Sequence, residues 1–334
     1  MATIKDVAKE TGLGLATISK YINGGNVREK NKVAIDAAID RLGFTINGFA
    51  RGLRTSKSRT IGVIIPELSN VFVTAIITAM EDVLRKNGYG VIICDCRTDE
   101  MQEREAVRFL MGKMVDGIVN MPVSRNGSHL LPLIEAAIPV VLVDRMIPGL
   151  ELNVNAVLVD NVSASTLATQ TLLDAGHKNI GIVLGPQDIF TSQQRLLGYY
   201  QVLIQNSLQP DASRVIFSDY TVQGGYESIK HLVSDKEITA IFVTNYEMTL
   251  GAMIAVNELG LKIPSQISLI GFDNMQLSQV INPRLTIITQ PLEEIGEKSA
   301  EILLASLSDG KNRSAPTIVT LSPGISIGDS VEIM

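Results

Sequence analysis

The sequence predicts two architectures in one chain. The first is a small N-terminal all-α head with a helix-turn-helix and a short hinge helix. The second is an α/β body of two similar lobes with parallel sheets. Three observations carry this. Up to residue 46 the apolar residues recur at helical spacing, punctuated by glycine clusters. From Thr60 onward, apolar strands alternate with helical patterns. Two stretches open with the same phrase, Ile61-Gly62 before Val63-Ile64-Ile65 and Ile180-Gly181 before Ile182-Val183-Leu184, which reads as one lobe written twice.

The head reads as three helices in order. Thr3 can cap the first, which carries Ile4, Val7 and Ala8 on one face and stops at Gly12. Gly12-Leu13-Gly14 is a tight turn. A second helix runs from Leu15 to Ile22 and ends at Asn23-Gly24-Gly25. A third, about 31–42, places Ile35, Ala38, Ile39 and Leu42 at i, i+3, i+4 and i+7. In a helix-turn-helix the second helix enters the major groove and its N-terminal side chains meet base edges. Those side chains are Leu15, Ala16, Thr17, Ser19 and Lys20. Leu15 and Ala16 can read only apolar features such as a thymine methyl, whereas Ser19 and Lys20 can hydrogen-bond. A three-helix interaction domain is the blander alternative. The helix-turn-helix pattern has to decide between the two, because basic surfaces are common, but charge agrees with it: residues 1–59 hold eleven Lys and Arg against five acids, +6, and the remainder holds 18 cations against 30 acids, −12. A basic head on an acidic body suits a polyanionic partner.

Residues 46–59, INGFARGLRTSKSR, offer a short helix from the cap Asn47 to Arg54. Gly48 and Gly52 each cost it about 1 kcal/mol against Ala. A helix this short is marginal in water, so an external surface has to fold it.

The body alternates strand and helix. TIGVIIP, YGVIICD, GIVNMP and PVVLVD make a first set, with helices to Asn87, around 103–111 and near 130–137. NIGIVLG, VIFS, AIFVTN, SLIGFD and LTIITQ make a second, followed by a helix over 291–308. Such lobes bind ligands at their strand C-terminal ends. Phe72, Asn120, Asp144, Arg195, Tyr220, Asn245, Asp273 and Gln290 stand at or just after those ends. Carboxylate, amide and guanidinium groups together suit the vicinal hydroxyls of a sugar, and an aromatic ring such as Tyr220 can stack on its apolar face. Asp160-Asn161 reads instead as a helix cap.

Other classes lack support. No nucleotide cradle, Walker motif, G-x-S-x-G or H-E-x-x-H occurs, so no enzyme and no cofactor is expected. His129, His177 and His231 are expected on the surface, and no metal site is expected. No apolar run approaches the roughly 20 residues of a membrane span. The N-terminus is a polar capped helix, not a signal peptide, and Cys94 and Cys96 read as reduced thiols in a cytoplasmic strand.

The stretches TIKDVAKETGLGLATISKYING, DRLGF and NGFARGLRTSKSRTIGVIIPELSN resemble the LacI/GalR family of bacterial transcription regulators, and the likeness extends over almost the whole chain. The resemblance implies a helix-turn-helix head at 1–46, a hinge helix and linker at 47–59, and a periplasmic-binding-protein-like effector and dimerisation domain at 60–334. It implies a lobe one of about 60–159 plus 291–320 and a lobe two of about 160–290 plus 321–334. In the family the hinge helix folds on operator DNA and a leucine, here Leu53, wedges into the minor groove. The DNA-contacting set then comprises Thr3, Lys5, Leu15, Ala16, Thr17, Ser19, Lys20, Asn23, Asn47, Ala50, Arg51, Leu53 and Arg54. Arg195, Asn245, Asp273, Asp144 and Gln290 fall on effector-cleft positions. The implied protein is a repressor of a near-palindromic operator, controlled by a sugar or sugar derivative and working as a homodimer. The alternative is a global catabolite regulator whose corepressor is a phosphorylated carrier protein. The chain departs from the family at Gly14, Arg28, Ile46, Gly48 and Gly52. Asn245-Tyr246-Glu247 stands where Asn-Asp is common, and Ile189 argues against a purine effector. The tail, SPGISIGDSVEIM, has no leucine heptads, so no tetramer is expected.

Overall fold

A computed structural model describes residues 2–22, 25–44, 57–273, 275–308 and 315–334. Two compact units separate at Arg59 and Thr60, and each is considered by itself.

The first unit holds α1 (Ile4–Thr11), α2 (Leu15–Ile22) and α3 (Glu29–Leu42). The Asp6 carboxylate accepts from the Thr3 N–H at 2.8 Å and the Thr3 hydroxyl at 2.7 Å, closing the start of α1. Gly12 ends it in the left-handed region, φ 66°, where a Cβ would be strained. Helix α3 begins earlier than its apolar spacing suggests. Arg28 is its N-cap and makes no side-chain cap bond. Val7, Ile18, Ile35 and Ala38 form the unit's buried core, with Ile4, Leu13, Tyr21, Ile39, Leu42 and Phe44 among the partly buried residues packed against it.

The second unit contains two six-stranded sheets. The first, in spatial order β11-β5-β4-β3-β1-β2, is parallel throughout. Its strands are β1 (Thr60–Ile65), β2 (Gly90–Asp95), β3 (Gly117–Asn120), β4 (Val140–Val143), β5 (Asn155–Val159) and β11 (Ile318–Leu321). Helices α4 (Val71–Lys86), α5 (Glu100–Gly112), α6 (Leu131–Glu135) and α12 (Leu292–Ser308) accompany it. The second sheet, β12-β10-β9-β8-β6-β7, comprises β6 (Ile180–Leu184), β7 (Val215–Phe217), β8 (Ala240–Val243), β9 (Ser268–Phe272), β10 (Thr286–Thr289) and β12 (Gly324–Ser326). Only β12 runs antiparallel. Helices α7 (Asn161–Asp174), α8 (Phe190–Gln205), α9 (Val222–Leu232), α10 (Tyr246–Glu258) and α11 (Met275–Val280) belong to it. Both faces of both sheets are covered, which is why the strands read as unbroken apolar runs.

The repeated Ile-Gly phrase has a packing cause. Each opening strand lies second from its sheet edge. A Cβ at Gly62 would sit 2.6 Å from Leu110 of α5, and one at Gly181 would sit 3.1 Å from Leu232 of α9. In both lobes a missing side chain lets a helix leucine settle on the strand.

Three expectations need correction. The first sheet does not close at β4: β5 and the late β11 extend it. The helix near 130–137 is only Leu131–Glu135. His129 and His177 are buried, not superficial. His177 bonds Thr239 Oγ1 at 2.9 Å and the Glu332 carbonyl at 3.1 Å, pinning the tail; His129 joins a network described below.

Helices α9 and α10 meet at two glycines. A Cβ at Gly251 would lie 1.8 Å from the Val222 carbonyl oxygen, and one at Gly225 would lie 2.2 Å from that of Met248. Gly251→Ala therefore forces backbone apart, and denaturant titration should show a loss of about 1–3 kcal/mol.

Candidate functional site

The strand C-terminal ends of the two sheets open onto one cavity of about 320 Å³. Its positioning residues repeat between lobes. Asp144 follows β4 and Asp273 follows β9, the third strand of each order, and both are left-handed, φ 70° and 61°. Thr98 beyond β2 and Tyr220 beyond β7, at the outer strands, are left-handed too, φ 55° and 64°. Each such non-glycine residue costs about 1 kcal/mol or more, and such conformations concentrate at functional sites.

Of the residues expected at the strand ends, Phe72, Asp144, Arg195, Tyr220, Asn245, Asp273 and Gln290 line this cavity. Arg195 of α8 is 4% exposed and fixed in advance. Its Nε donates to Asn161 Oδ1 at 2.7 Å, its Nη1 donates to the Thr244 carbonyl, and the guanidinium stands 4.0 Å over the Phe272 ring centroid. Asn161 in turn donates to the Val159 carbonyl at 3.1 Å, while Asp160 caps α7 by accepting from the Ser163 N–H at 2.9 Å. Gln290 Nε2 donates to both Asp273 oxygens, at 2.9 and 3.1 Å.

Burial pushes the Asp273 carboxyl up to about 7; the Gln290 bond and the Arg195 charge oppose this, and the Asp144 and Glu247 carboxylates add to it. The Tyr220 hydroxyl meets Thr191 Oγ1 at 2.9 Å and Ser192 Oγ at 2.7 Å. Its ring lies against Gly185, where a Cβ would come within 1.9 Å of it, and Arg145 stands 5.8 Å from its centroid. One face of the ring is thus closed to stacking. Asn245 caps α10 through the Met248 N–H at 2.9 Å as well as lining the cavity.

Asn120 is the exception. It is fully buried and faces away from the cavity, which Met121, Pro122 and Val123 line instead. Its Nδ2 donates to Glu103 Oε1 at 3.0 Å. Glu103, also fully buried, accepts from the Val123 N–H at 3.1 Å and the Ser124 N–H at 2.7 Å, with the Ser124 hydroxyl and His129 Nε2 around it. Burial would raise its pKa, but bonds from His129, Ser124 and Asn120 outweigh that and hold it at about 2. The backbone behind the cavity wall thus hangs on one carboxylate. Sequence reading passed over Glu103, and also Glu67 and Arg145 in the lining, and marked Glu247 only as a departure from the family's Asn-Asp, because nothing local marks which face of a loop or helix meets the opposite lobe. Arg125 and Asp188 form an ion pair between loops of the two lobes.

In the head, Lys5, Leu15, Ala16 and Lys20 are exposed and Thr17 and Ser19 half-buried, while the Thr3 hydroxyl is engaged by Asp6. Ala16, Thr17 and Lys20 share an open groove with Arg28 and Asn31 of the α3 start. Asn23, Asn47, Ala50, Arg51, Leu53 and Arg54 lie outside the described residues. Among the described residues no helix is long and apolar enough to cross a membrane.

A three-helix head with an exposed second helix, and a body whose two lobes share a cavity into which charged and amide side chains converge, define the class of ligand-responsive helix-turn-helix regulators. Residues 3–47 match the model of the bacterial regulatory proteins of the lacI family, and residues 58–324 match that of periplasmic binding proteins and the sugar binding domain of the LacI family. The chain belongs to the LacI family and is a DNA-binding transcriptional regulator.

Among its relatives, catabolite control protein A of Priestia megaterium is 34% identical over 90% of this chain and 91% of that protein. The regulator GalR of Escherichia coli K12 is 31% identical over 96% of this chain and 93% of its own length. The solved complex of the regulator CelR with cellobiose superposes with a TM-score of 0.75 at 25% identity, covering 99% of this chain and all of that one. A LacI family regulator from Enterococcus faecium with bound ribose gives 0.73 at 26%, over 82% and 99%.

Asp273 ties stability to pH. Its carboxyl is raised from 3.8 to about 7, so the folded protein prefers the protonated form and loses stability as pH rises between those values. Asp273→Asn removes that penalty. In the ligand-free protein it should stabilise by roughly 1–4 kcal/mol at about pH 8 and change little near pH 4, read from denaturation at both.

Proposed function

We propose that this chain is a repressor whose affinity for a near-palindromic operator is set by a sugar or sugar derivative held between its two lobes. The observation that carries the reading is the convergence of Asp144, Arg195, Asp273 and Gln290 from separate strand ends on one cavity. Arg195 is oriented before any ligand arrives, and the carboxylates and amide offer paired acceptors and donors to neighbouring hydroxyls. Cellobiose and ribose in the related regulators are ligands of this chemistry. The protein works in the cytoplasm, where its operator is, and no catalytic role is assigned to it.

Effector and operator affinities are coupled reciprocally, by about 1–3 kcal/mol in a typical case. The test is operator binding by fluorescence anisotropy across a sugar panel, on DNA selected in vitro by the protein itself. An effector that binds the body and leaves operator affinity unchanged in both directions refutes the mechanism. A second reading rests on the similarity to catabolite control protein A: a global catabolite regulator with a phosphorylated carrier protein as corepressor. It predicts that operator affinity rises with that carrier and ignores free sugars.

A homodimer would bring two heads to matched half-sites. Two features of the body support it. Strand β2 is an edge strand with Ile93 exposed, and the exposed Ile254 of α10 borders an apolar hollow that Leu250, Met253, Leu261, Ile263 and Pro283 share. Ile254→Asp should shift the protein from dimer to monomer in sedimentation and weaken operator binding at least about tenfold, with sugar binding retained.

A further inference from the structure

The charge balance of the cavity is lopsided. Glu67, Asp144, Asp219 and Glu247, beside an Asp273 whose raised carboxyl carries only part of a charge near neutral pH, face Arg145 and Arg195, with no lysine or histidine among the described lining residues. Both guanidiniums are already engaged. Arg145 Nε reaches Asp144 Oδ2 at 3.3 Å, and Arg195 holds Asn161 and the Thr244 carbonyl beneath the cavity. Asp219 is occupied by its own turn, accepting from the Thr221 N–H at 3.0 Å and hydroxyl at 2.7 Å.

Glu67 and Glu247 are each met by a single side-chain donor. They come from opposite lobes, one after β1 and one at the start of α10. Glu67 accepts from the Ser69 hydroxyl at 2.7 Å, and Glu247 from the Asn245 amide at 2.5 Å; among the described residues neither pairs with a cation. They are near enough that the Glu67 charge adds to burial in raising the Glu247 carboxyl. The opposing feature is the start of α8, whose N-cap Ile189 makes no side-chain bond. A helix start carries roughly half a positive charge, too little to reverse the sign of the site.

Resting on the effector-cleft reading above, we infer that the cavity selects by charge: its effector is an unphosphorylated, non-acidic polyol, and Glu67 and Glu247 are the specificity-determining residues that repel sugar phosphates and sugar acids. Specificity of this kind is a difference of affinities, built here from repulsion against the wrong ligand. The regulator thus reports a free sugar and not its phosphorylated product. An amine on the sugar is tolerated or favoured, since a cation relieves the same repulsion.

Calorimetry on the full chain with matched sets tests this: glucose, glucosamine, glucose 6-phosphate and gluconate; ribose and ribose 5-phosphate; cellobiose and its 6-phosphate. In whichever set binds, the anionic member should be at least about a hundredfold weaker than its parent, with the gap narrowing as salt rises. The amine should bind at least as well as the parent. Glu67→Gln, at an exposed position, and Glu67→Gln with Glu247→Gln should each shrink the ratio of anionic to neutral Kd, the pair by at least about tenfold. A phosphate or acid that binds as tightly as its parent overturns the inference and leaves the effector cleft standing, as does a ratio unmoved in the double variant. Silence from every member of every set, charged or neutral, removes the sugar reading itself.

Discussion

The cation at Arg195 organises the second lobe. A guanidinium taken out of water must find partners for its donors or it destabilises the fold by several kcal/mol. Asn161 at the head of α7, the Thr244 carbonyl at the end of β8 and the Phe272 ring at the end of β9 supply them. Those three lie far apart in the chain, so satisfying one charge fixes the chain crossover and two strand ends together. The same charge then acts on Asp273 in the cavity.

The first lobe solves a similar problem with the opposite sign. Glu103 lies beneath its wall of the cavity as Arg195 lies beneath the other, and these are the buried Asp, Glu, Lys or Arg side chains among the described residues. The Asn120 side chain at the end of β3 serves one buried charge, and the Thr244 backbone carbonyl just past β8 serves the other. The lobes are therefore repeats in backbone and opposites in electrostatics. Left-handed residues recur at equivalent loops, while an anion supports one wall and a cation the other.

Charge also divides the whole chain. A head of +6 suits a phosphate backbone, whereas a body of −12 is on balance repelled by one. Within the body the acidic excess is turned to another use at the cavity, where a ligand must come without a negative charge of its own.

The sequence alone determined what depends on neighbours in the chain. The helices of the head follow from apolar residues three and four apart with glycine stops. The two lobes follow from apolar runs, and seven cavity residues were legible because parallel strands end where those runs end. Tertiary structure decided what depends on facing. Asn120 stands at a strand end like the others but turns toward Glu103, and no local pattern fixes that rotation. Strand β5 needs the distant β11 beside it, and β12 needs β10; the resemblance divided the tail between the lobes near residue 320, but these pairings and registers depend on crossovers that no local pattern contains. His129 and His177 became interior only when Glu103 and the tail carbonyl of Glu332 supplied partners. Glu67 and Glu247, 180 positions apart in the numbering, come together only because the two lobes line one cavity; the energy of that repulsion depends on distance through space, which the chain order does not contain.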